Sequence, residues 1–483
     1  MAKSISKNYL YNLSYQILTL LTPLITTPYL SRVLGPDGIG QYSFTFSIVT
    51  YFILLANLGV ANYAQREIAY ERGNKQAQSR TFFEVMLLRT ILVLISLIAY
   101  YFIVSSWNVS HTIYWIQALN ILAVLFDISW YFQGLEEFGK IVFRNFITRI
   151  LSILMVFLLI KDSGDLNFYV ALTGGMNILS GILIWAYLPQ YLVHVKLSEL
   201  NPFRNFIVIL QMFLPTIAIQ VYTVLDKTMI GLSTTDALEN GYYEQAEKIV
   251  KISLTVITSL GTVTLPRIAA DFASGNKEAI KKRLMKSYRF ATFLALPMIM
   301  GLIATIDFIV PWFFGPGYEK VGILVKIFSG LLLAIGINNV TGVQYLVPTN
   351  RQNLFTLTVI IGAAVNFCLN LLLIPYFYSV GAAIASVIAE SVIAIVQLWL
   401  VRKEFSAFQI FKNSTHYLLG SVLMYVCLIL VISIFHPKTA IVDSFALIAT
   451  GGLIYFLTLL VLKDTFVIDT LNRIRGRLLK RSC

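Results

Sequence analysis

Apolar runs of about twenty residues recur from one end of this 483-residue chain to the other. As a helix, such a run spans the roughly 30 Å hydrocarbon core of a bilayer. Apolar residues make up 57% of the sequence, and the connections between the runs are too short for a sizeable soluble domain. The runs therefore predict an all-α polytopic membrane protein with about fourteen transmembrane helices. The predicted spans are residues 9–30, 41–62, 82–104, 112–132, 143–160, 168–188, 206–230, 249–266, 289–312, 321–346, 354–375, 379–401, 416–435 and 441–462.

Lys and Arg residues concentrate in alternate connections and in the tail NRIRGRLLKR. Basic connections resist translocation, so these segments and both termini are expected on the cytoplasmic side. The start, MAKSISK, leads into a run long enough to span without a small-residue cleavage site, which predicts a retained first helix. The formal net charge of +13 then faces anionic lipid headgroups, and no nucleic-acid partner is expected.

Two segments at an offset of 202 residues share one pattern: Leu-Gly, thirteen residues, then Gly-Asn-Lys-x-Ala. The copies begin at Leu58 and Leu260, and upstream of them LGPDGIGQY from Leu34 corresponds to IGLSTTDALENGYY from Ile230. Six predicted spans separate the copies, so both halves have the same orientation. This predicts two parallel six-helix bundles, as in transporters built from repeats, with two further helices appended. The predicted domains are the bundles 1–200 and 201–405, and the appended helices with the basic tail, 406–483.

The stretch VYTVLDKTMIG, from Val221, places an aspartate beside a lysine near the end of a long apolar run. The correspondence between the segments that start at Leu34 and Ile230 aligns Arg32 close to Lys227. Each bundle therefore offers a cation at the outer end of its first helix. In a two-bundle transporter the substrate site lies at the interface between the repeats. Snorkelling to the outer headgroups is the other explanation for either cation, whereas Asp226 gains nothing from it.

Acidic residues inside the predicted spans are candidates for binding H⁺ or Na⁺, because an ionisable group there is costly unless it pairs or meets water. The candidates are Asp127, Asp226, Asp307 and Glu390. Arg89 and Arg149 are basic residues in the inner halves of their spans. Interhelical ion pairs or hydrogen bonds are the alternative for the acids, as they are for Asn366 and Asn370 on one helix face.

Signatures of nucleotide, metal or nucleophile chemistry are missing from the sequence. No Gly-x-x-x-x-Gly-Lys-Ser/Thr segment is present to hold ATP, and the four histidines and three cysteines lack ligand spacing. No cofactor or metal is therefore expected. The chain is expected to transport without catalysing bond chemistry, driven by an ion gradient, the membrane potential or the substrate gradient.

Motifs over nearly the whole chain, in order, point to one family. They are NLSYQILTLLTPLITTPYLSRVLGPDGIGQYSF, NLGVANYAQREIA, DISWYFQGLEEF, VYTVLDKTMIG, GYYEQAEKIVK, TLPRIA, GVQYLVP, NFCLNLLLIP and VGAAIASVIAE. The chain resembles the Wzx-type polysaccharide flippases of the multidrug/oligosaccharidyl-lipid/polysaccharide (MOP) exporter superfamily. The resemblance implies a V-shaped pair of bundles in the bacterial plasma membrane. It also implies movement of a polyprenyl-pyrophosphate-linked oligosaccharide, a precursor of surface polysaccharide or teichoic acid, from the inner to the outer leaflet.

The resemblance further implies a hydrated groove lined by cations, because a pyrophosphate and a polar sugar must cross while the lipid tail stays in the bilayer. Positions that resemble such a lining are Arg32, Arg66, Lys227, Lys248 and Lys251. Arg66 is also explained as a basic residue at a cytoplasmic connection, and Lys248 as a partner of Glu244 or Glu247. Glycosyltransferases and a polysaccharide polymerase are the expected partners.

Two other functions remain open on the sequence. A multidrug cation extruder of the same fold requires an acidic, aromatic cavity, whereas the repeat-related pair Arg32 and Lys227 is cationic. A membrane-embedded glycosyltransferase or polymerase normally requires a substantial outer loop, and the longest predicted outer connection, about 231–248, is short.

Overall fold

The regular structure of the chain is helical throughout the residues that the computed structural model describes, which are 5–107, 112–234, 236–412, 414–437, 441–469 and 471–472. No β-strand occurs in these ranges. The chain divides into two compact units, Met1–Gly241 and Tyr242–Cys483. The predicted all-α class is confirmed, whereas the predicted domain bounds at 200 and 405 stay predictions.

The described residues of the first unit form eight complete helices and the start of a ninth. They are α1 (Ile5–Asn57), α2 (Val60–Tyr70), α3 (Lys75–Ser106), α4 (Thr112–Phe126), α5 (Ser129–Gly134), α6 (Phe138–Leu159), α7 (Leu166–Trp185) and α8 (Phe206–Ser233). Two short 3₁₀ turns, Ser163–Asp165 and Leu197–Glu199, precede and follow α7.

The ninth helix crosses the boundary between the units, and the other helices lie in the second. They are α9 (Leu238–Ala273), α10 (Lys277–Phe314), α11 (Glu319–Phe328), α12 (Gly330–Asn338), α13 (Gln352–Leu400), α14 (Ala407–Lys412), α15 (Thr415–Phe435) and α16 (Ile441–Val461). A π-helical segment, Asn339–Leu346, follows α12 directly.

Two of these helices are each long enough for two spans, and each contains a break. In the 53-residue α1 the break is Gly35, with φ 68° and ψ 174°, immediately before Pro36. Glycine adopts this positive φ without steric penalty, and proline supplies no backbone N–H. In the 49-residue α13 the break is Tyr378, with φ 51° and ψ −127°. Each arm on either side of a break matches one predicted span.

Eleven helical stretches of the described chain are long and apolar enough to cross a membrane, by length and composition alone. The 28-residue α8 is a further apolar helix. When α1 and α13 are each counted as two spans, the described helices correspond to the fourteen predicted spans.

The repeated Gly-Asn-Lys-x-Ala motif builds the same helix start in both units. Asn74 Oδ1 accepts a hydrogen bond from Ala77 N at 3.1 Å and begins α3. Asn276 Oδ1 accepts from Ala279 N at 3.0 Å and begins α10. The glycine before each asparagine has a positive φ, 89° and 72°. Asparagine is a preferred N-cap residue, so the motif recurs because it starts a long helix.

The two appended helices pack against α10 of the second unit. Tyr455 OH of α16 donates to Phe293 O at 2.9 Å, and Trp312 Nε1 donates to Ser444 Oγ at 2.7 Å. Tyr417 and Met424 of α15 are buried in the same cluster. The appended helices therefore share an apolar core with α10.

Glycines set the spacing of α4 and α7 in the first unit. A Cβ at Gly174 would lie 2.8 Å from Leu119 Cβ, and a Cβ at Gly181 would lie 2.7 Å from Phe126 Cβ. Small residues let helix backbones approach closely, which is the usual packing device inside membranes. The helices α1 and α6 complete this bundle around α7.

Candidate functional site

A polar cavity of about 370 Å³ lies within the first unit, between α1, α6 and α7. Its polar lining consists of Thr22, Thr26, Tyr42, Asn145, Thr148, Arg149, Ser152, Tyr169, Thr173, Asn177 and Ser180. The lining thus combines hydroxyl and amide groups with one guanidinium. No carboxylate is among the described lining residues.

Helical periodicity produces this polar lining from three helices that are otherwise apolar. On α6, Asn145, Arg149 and Ser152 occupy positions i, i+4 and i+7, which lie on one helix face. On α7 polar residues recur at every fourth position from Tyr169 to Asn177, and the two threonines of α1 are also four apart. The three stripes meet at the cavity. Sequence analysis missed this set, although the spacing within each span was a usable signal.

Arg149 lies at the middle of the 22-residue α6, roughly 16 Å along the axis from either end. An arginine at the centre of a membrane helix costs on the order of 2.5 to 3.5 kcal/mol on the insertion scale unless it meets water or a partner. Arg149 has neither an ion pair nor a hydrogen bond among the described residues. Its half-buried side chain instead faces the polar cavity.

Two other arginines of the first unit, Arg89 and Arg144, have hydrogen-bond partners, unlike Arg149 among the described residues. Arg89 is 2% exposed, and its Nη2 donates to Asn57 Oδ1 at 3.2 Å, while its Nη1 donates to the Asp127 carbonyl. Arg144 donates from Nη2 to Asn145 Oδ1 at 2.7 Å and lies 3.5 Å from Asp127 Oδ1. Arg89 therefore links the end of α1 to the break between α4 and α5, and Arg144 links α6 to the same break.

Amide side chains connect the Arg149 cavity to the interior of the first unit. Asn177 Nδ2, from the cavity lining, donates to Asn120 Oδ1 at 3.1 Å. Asn120 Nδ2 donates to Gln117 Oε1 at 2.8 Å, and Gln117 Nε2 donates to Thr45 Oγ1 at 3.1 Å. Gln117 and Asn120 are buried, and buried hydrogen-bonded amides hold their neighbours in one arrangement. The wall of the cavity formed by α7 is therefore fixed.

The structure gives local partners to four of the five predicted cavity cations. Arg32 is exposed, and its Nη1 donates to Pro28 O, one turn back, at 3.0 Å. Arg66 pairs with Glu67 at 2.9 Å, and its guanidinium lies over two tyrosine rings of α2. On α9, Lys248 lies 3.4 Å from Glu244 and Lys251 lies 2.7 Å from Glu247. The role of these cations in binding substrate stays a prediction.

The fifth cation, Lys227, is half-buried beside Asp226, which is 6% exposed. One residue on, Thr228 Oγ1 donates to Ser47 Oγ at 2.9 Å and lies 3.1 Å from Tyr51 OH. These bonds attach α8 to the second arm of α1. The predicted association of Lys227 with Arg32 stays a prediction.

Three of the four predicted ion-coupling acids have identified partners. Asp127 is exposed in the break before α5, where its Oδ1 accepts from Ser129 N at 3.1 Å beside Arg144. Asp307 pairs with Lys326 at 2.6 Å. Glu390 Oε2 accepts a hydrogen bond from Asn338 Nδ2 at 2.5 Å.

The predicted hydrogen bonding to a neighbouring helix is confirmed for Asn366, and Asn370 bonds to Asn366 on the same helix arm. Asn370 Nδ2 donates to Asn366 Oδ1 at 3.1 Å, and Asn366 Nδ2 donates to Ser386 Oγ of the second arm of α13 at 3.5 Å. Both asparagines are buried, as is Tyr243, whose OH lies 3.3 Å from Ser386 Oγ. This network holds the two arms of α13 together.

Gly40 and Gly241, which correspond in the repeated segments from Leu34 and from Ile230, form a close contact within the first unit. A Cβ at Gly40 would lie 1.8 Å from Ala237 O, and a Cβ at Gly241 would lie 2.1 Å from Pro36 O. The backbones of α1 and of the start of α9 therefore touch at two reciprocal points. No side chain larger than hydrogen fits at either position without separating the segments.

We expect Gly40→Val to separate these segments and lower the thermal unfolding midpoint, because overpacking a tight contact costs about 1 to 3 kcal/mol. The buried Thr45 lines the neighbouring cavity, so a cysteine placed there should label faster with an impermeant maleimide in the variant. The native cysteines would first be replaced. Gly175→Val is the matched control, since a Cβ there meets nothing within 4 Å. Unchanged labelling and an unchanged midpoint in Gly40→Val would contradict the close contact.

Comparison with solved structures defines the class of protein. The chain superimposes on the lipid II flippase MurJ in its inward closed conformation with a TM-score of 0.76, at 17% identity, covering 96% of this chain and 99% of that one. It also superimposes on an inward-facing multidrug resistance MATE family transporter of the MOP superfamily, with a TM-score of 0.65, 14% identity, and coverage of 80% and 95%. The protein is a multi-pass membrane protein with the MOP superfamily fold.

The sequence gives the family. The family model described as polysaccharide biosynthesis protein matches residues 5–271, more than half of the chain. The chain belongs to this family. It is also 24% identical over 407 residues to the "Putative O-antigen transporter" of Escherichia coli (strain K12), covering 83% of this chain and 97% of that protein. The predicted resemblance to a polysaccharide family is confirmed by this family model, and the fold is the one shared by the MurJ and MATE structures.

Proposed function

We propose that this protein is a flippase of the bacterial plasma (inner) membrane. It moves a polyprenyl-pyrophosphate-linked oligosaccharide, a precursor of a surface polysaccharide or a teichoic acid, from the inner to the outer leaflet, with both termini cytoplasmic. The observation that carries the proposal is the polar, carboxylate-free cavity with Arg149 at mid-span in a member of a polysaccharide biosynthesis family. The names of its relatives, an O-antigen transporter and a lipid II flippase, support the same class of cargo.

The physical task of a flippase explains why such a cavity is useful. A polyprenyl tail is soluble in the bilayer core, so only the pyrophosphate and the sugars need a polar path. Leaving a hydroxyl without a hydrogen-bond partner in an apolar medium costs several kcal/mol, and an isolated charge costs far more. Hydroxyl and amide side chains replace water around the sugar, and a guanidinium matches a phosphate with two parallel hydrogen bonds.

A multidrug cation extruder is the second candidate, because the fold is shared with the MATE family transporter. Its cargo is cationic and needs acidic groups in the cavity. The described lining of the Arg149 cavity contains a guanidinium and no carboxylate, which disfavours a cationic cargo. In the proposed function the protein makes and breaks no covalent bond.

We propose Glu390 as the first choice among the acids for coupling transport to H⁺ or Na⁺. Its Oε2 accepts a hydrogen bond from Asn338 Nδ2 at 2.5 Å, and the residue lies at the middle of the second arm of α13. Glu390 is half-buried within a long apolar helix, where the gain or loss of a proton or Na⁺ changes the electrostatic energy more than it does in water. Asp226 is buried beside Lys227, and an adjacent cation favours the carboxylate.

Purified protein in proteoliposomes is expected to move a fluorescent polyprenyl-pyrophosphate oligosaccharide between leaflets, measured by quenching with an impermeant reductant. Collapsing the H⁺ and Na⁺ gradients and the potential should slow the movement, as should Glu390→Gln. Glu278→Gln, at an exposed position in the first turn of α10, is the matched control.

Two outcomes would favour another function. Absence of lipid movement with uptake of a lipophilic cation would favour the extruder, and transfer of sugar to another lipid would favour a transferase. Transport unaffected by any gradient would refute the coupling.

A further inference from the structure

A basic cavity of about 290 Å³ lies in the second unit, where three connections between helices meet. Its charged lining residues are Lys277 and Lys281 of α10, Arg351 before α13 and Glu404 after it. Its other lining residues are Phe272, Gly275, Ile280, Tyr345, Thr349 and Phe405. All of them lie at or beyond the ends of predicted spans, on the side that the distribution of Lys and Arg assigns to the cytoplasm.

One wall of this cavity is fixed by Glu404. Its Oε1 accepts a hydrogen bond from Arg351 Nη1 at 2.7 Å, and its Oε2 accepts one from the Tyr345 hydroxyl. The Tyr345 ring packs edge-on against Phe405, with 5.0 Å between the ring centroids. Both rings are buried, and with the buried Ile280 they form an apolar floor. The only acid among the described lining residues is therefore already bonded to a guanidinium and a hydroxyl.

The two lysines of the cavity carry charge that no described residue neutralises by direct contact. Lys277 and Lys281 are exposed, and neither has an ion pair or a side-chain hydrogen bond in the described ranges. They are four residues apart on α10, so their like charges repel each other across one helical turn. Arg283 of the same helix, in contrast, pairs with Asp271 at 2.5 Å. An anion in the cavity would relieve the repulsion between the lysines.

The first unit covers the corresponding position with its own chain. At the repeat offset of 202 residues, the counterparts of the two lysines are Lys75 and Ser79 of α3. Lys75 Nζ donates a hydrogen bond to Gln190 O at 3.3 Å. Ser79 Oγ accepts one from Val193 N at 2.8 Å. The segment after α7 thus contacts the start of α3, whereas the same place on α10 lines a cavity.

We propose that this cavity binds the phosphate headgroup of an anionic phospholipid from the cytoplasmic leaflet, at a site separate from the Arg149 cavity. Ammonium groups bind phosphate as point charges, and basic pockets between membrane helices on the cytoplasmic side suit anionic headgroups. The apolar floor and the exposed Phe272 provide contacts for the glycerol and the first methylene groups, which a free anion lacks. The proposal goes beyond the proposed function and does not depend on it.

Native mass spectrometry of the purified full-length protein measures this binding directly. The protein would be titrated with equimolar phosphatidylglycerol and phosphatidylcholine of the same acyl chains, with and without inorganic phosphate. We expect phosphatidylglycerol to saturate one site in preference to phosphatidylcholine. Displacement by an equal concentration of inorganic phosphate would assign the site to a free anion, and equal retention of the two lipids would show that the headgroup charge is not recognised. Either result overturns the proposal.

Substitution of the lysines tests the cavity itself. Lys277→Gln combined with Lys281→Gln is expected to weaken phosphatidylglycerol binding roughly thirtyfold, or about fivefold for each charge. Lys282→Gln, which removes an exposed charge from the same helix outside the cavity lining, is the matched control. Arg402→Gln, at an arginine that stacks on Trp399 at 4.0 Å outside the cavity, is a second control.

Thermal unfolding without added lipid separates a lost site from a lost fold. The double variant should unfold at or above the wild-type temperature, because two like charges one turn apart have been removed. Wild-type binding of phosphatidylglycerol by the double variant would overturn the proposal. An equal loss of binding in Lys282→Gln would also overturn it, since it would show attraction to a basic surface without a defined site. Because no transport is measured, the result is independent of whether the protein moves a glycan lipid.

Discussion

Cells that lose this protein are expected to accumulate full-length polyprenyl-pyrophosphate-linked oligosaccharide on the cytoplasmic leaflet and to lose nearly all of the corresponding surface glycan. The reason is the barrier to unassisted crossing. Each sugar hydroxyl and the charged pyrophosphate would have to leave water without replacement bonds. In the proposed function, the protein lowers this barrier by supplying the missing polar groups inside its helices.

The measurement is the sidedness of the lipid-linked glycan in spheroplasts of a deletion strain, using an impermeant glycan-cleaving enzyme before and after lysis. Complementation with the wild type and with Arg402→Gln should restore outer accessibility. Lipid-linked intermediates that stop at a shorter sugar length would show that the chain extends the glycan, and would exclude a flippase. Accumulation on the outer leaflet would place the protein after translocation.

The membrane class and the helix count were predictable because one physical quantity governs both. The thickness of the hydrocarbon core sets the length of each apolar run, and no other solvent selects runs of that length. The repeat was visible for a similar reason. A glycine with positive φ followed by an asparagine cap is a local device, so Asn74 and Asn276 could be paired from sequence alone.

Whether two neighbouring spans are joined by coil or by continuous helix was harder to predict from the sequence. The predicted connection 31–40 is helical except for the break at Gly35, so the first two spans form one long kinked helix. Hydropathy distinguishes apolar from polar segments and carries no information about whether a short polar segment is coil or helix. The same holds for Tyr378, where a single residue of unusual backbone conformation replaces a loop.

The candidate site shows a different kind of limit. Cavity cations predicted from the family resemblance, such as Arg66 and Lys251, have local partners in the structure at 2.9 Å and 2.7 Å. Arg149 becomes distinctive only when its neighbours on α1 and α7 are known, because it lines a polar cavity and has no partner in the part of the chain that the structure describes. Pairing between helices is a long-range property that spacing within one helix does not determine.

Transport requires release as well as binding, so one strong anion site at mid-depth is insufficient for a flippase. Lys227 lies near the C-terminal end of α8, and Arg32 lies three residues before the break that ends the first arm of α1. We propose that these cations form an outer station for the pyrophosphate after it leaves Arg149. The buried Asp226 beside Lys227 lowers the net positive charge there and keeps that station from holding the anion too tightly.

Lys227→Gln and Arg32→Gln are each expected to weaken export, because each removes a charge-assisted hydrogen bond worth on the order of 1.5 to 3 kcal/mol, or roughly ten- to a hundredfold in apparent affinity. Arg32→Lys should also be damaging, since lysine cannot reproduce a bidentate contact. The measurement is complementation of the deletion strain at matched membrane abundance, with Arg402→Gln as the control. Arg32 already donates to Pro28 O at 3.0 Å, which is the geometry expected of a side chain that merely reaches for outer headgroups. Full export by both glutamine variants would therefore show that the outer station does not exist and that the anion leaves directly from the Arg149 cavity.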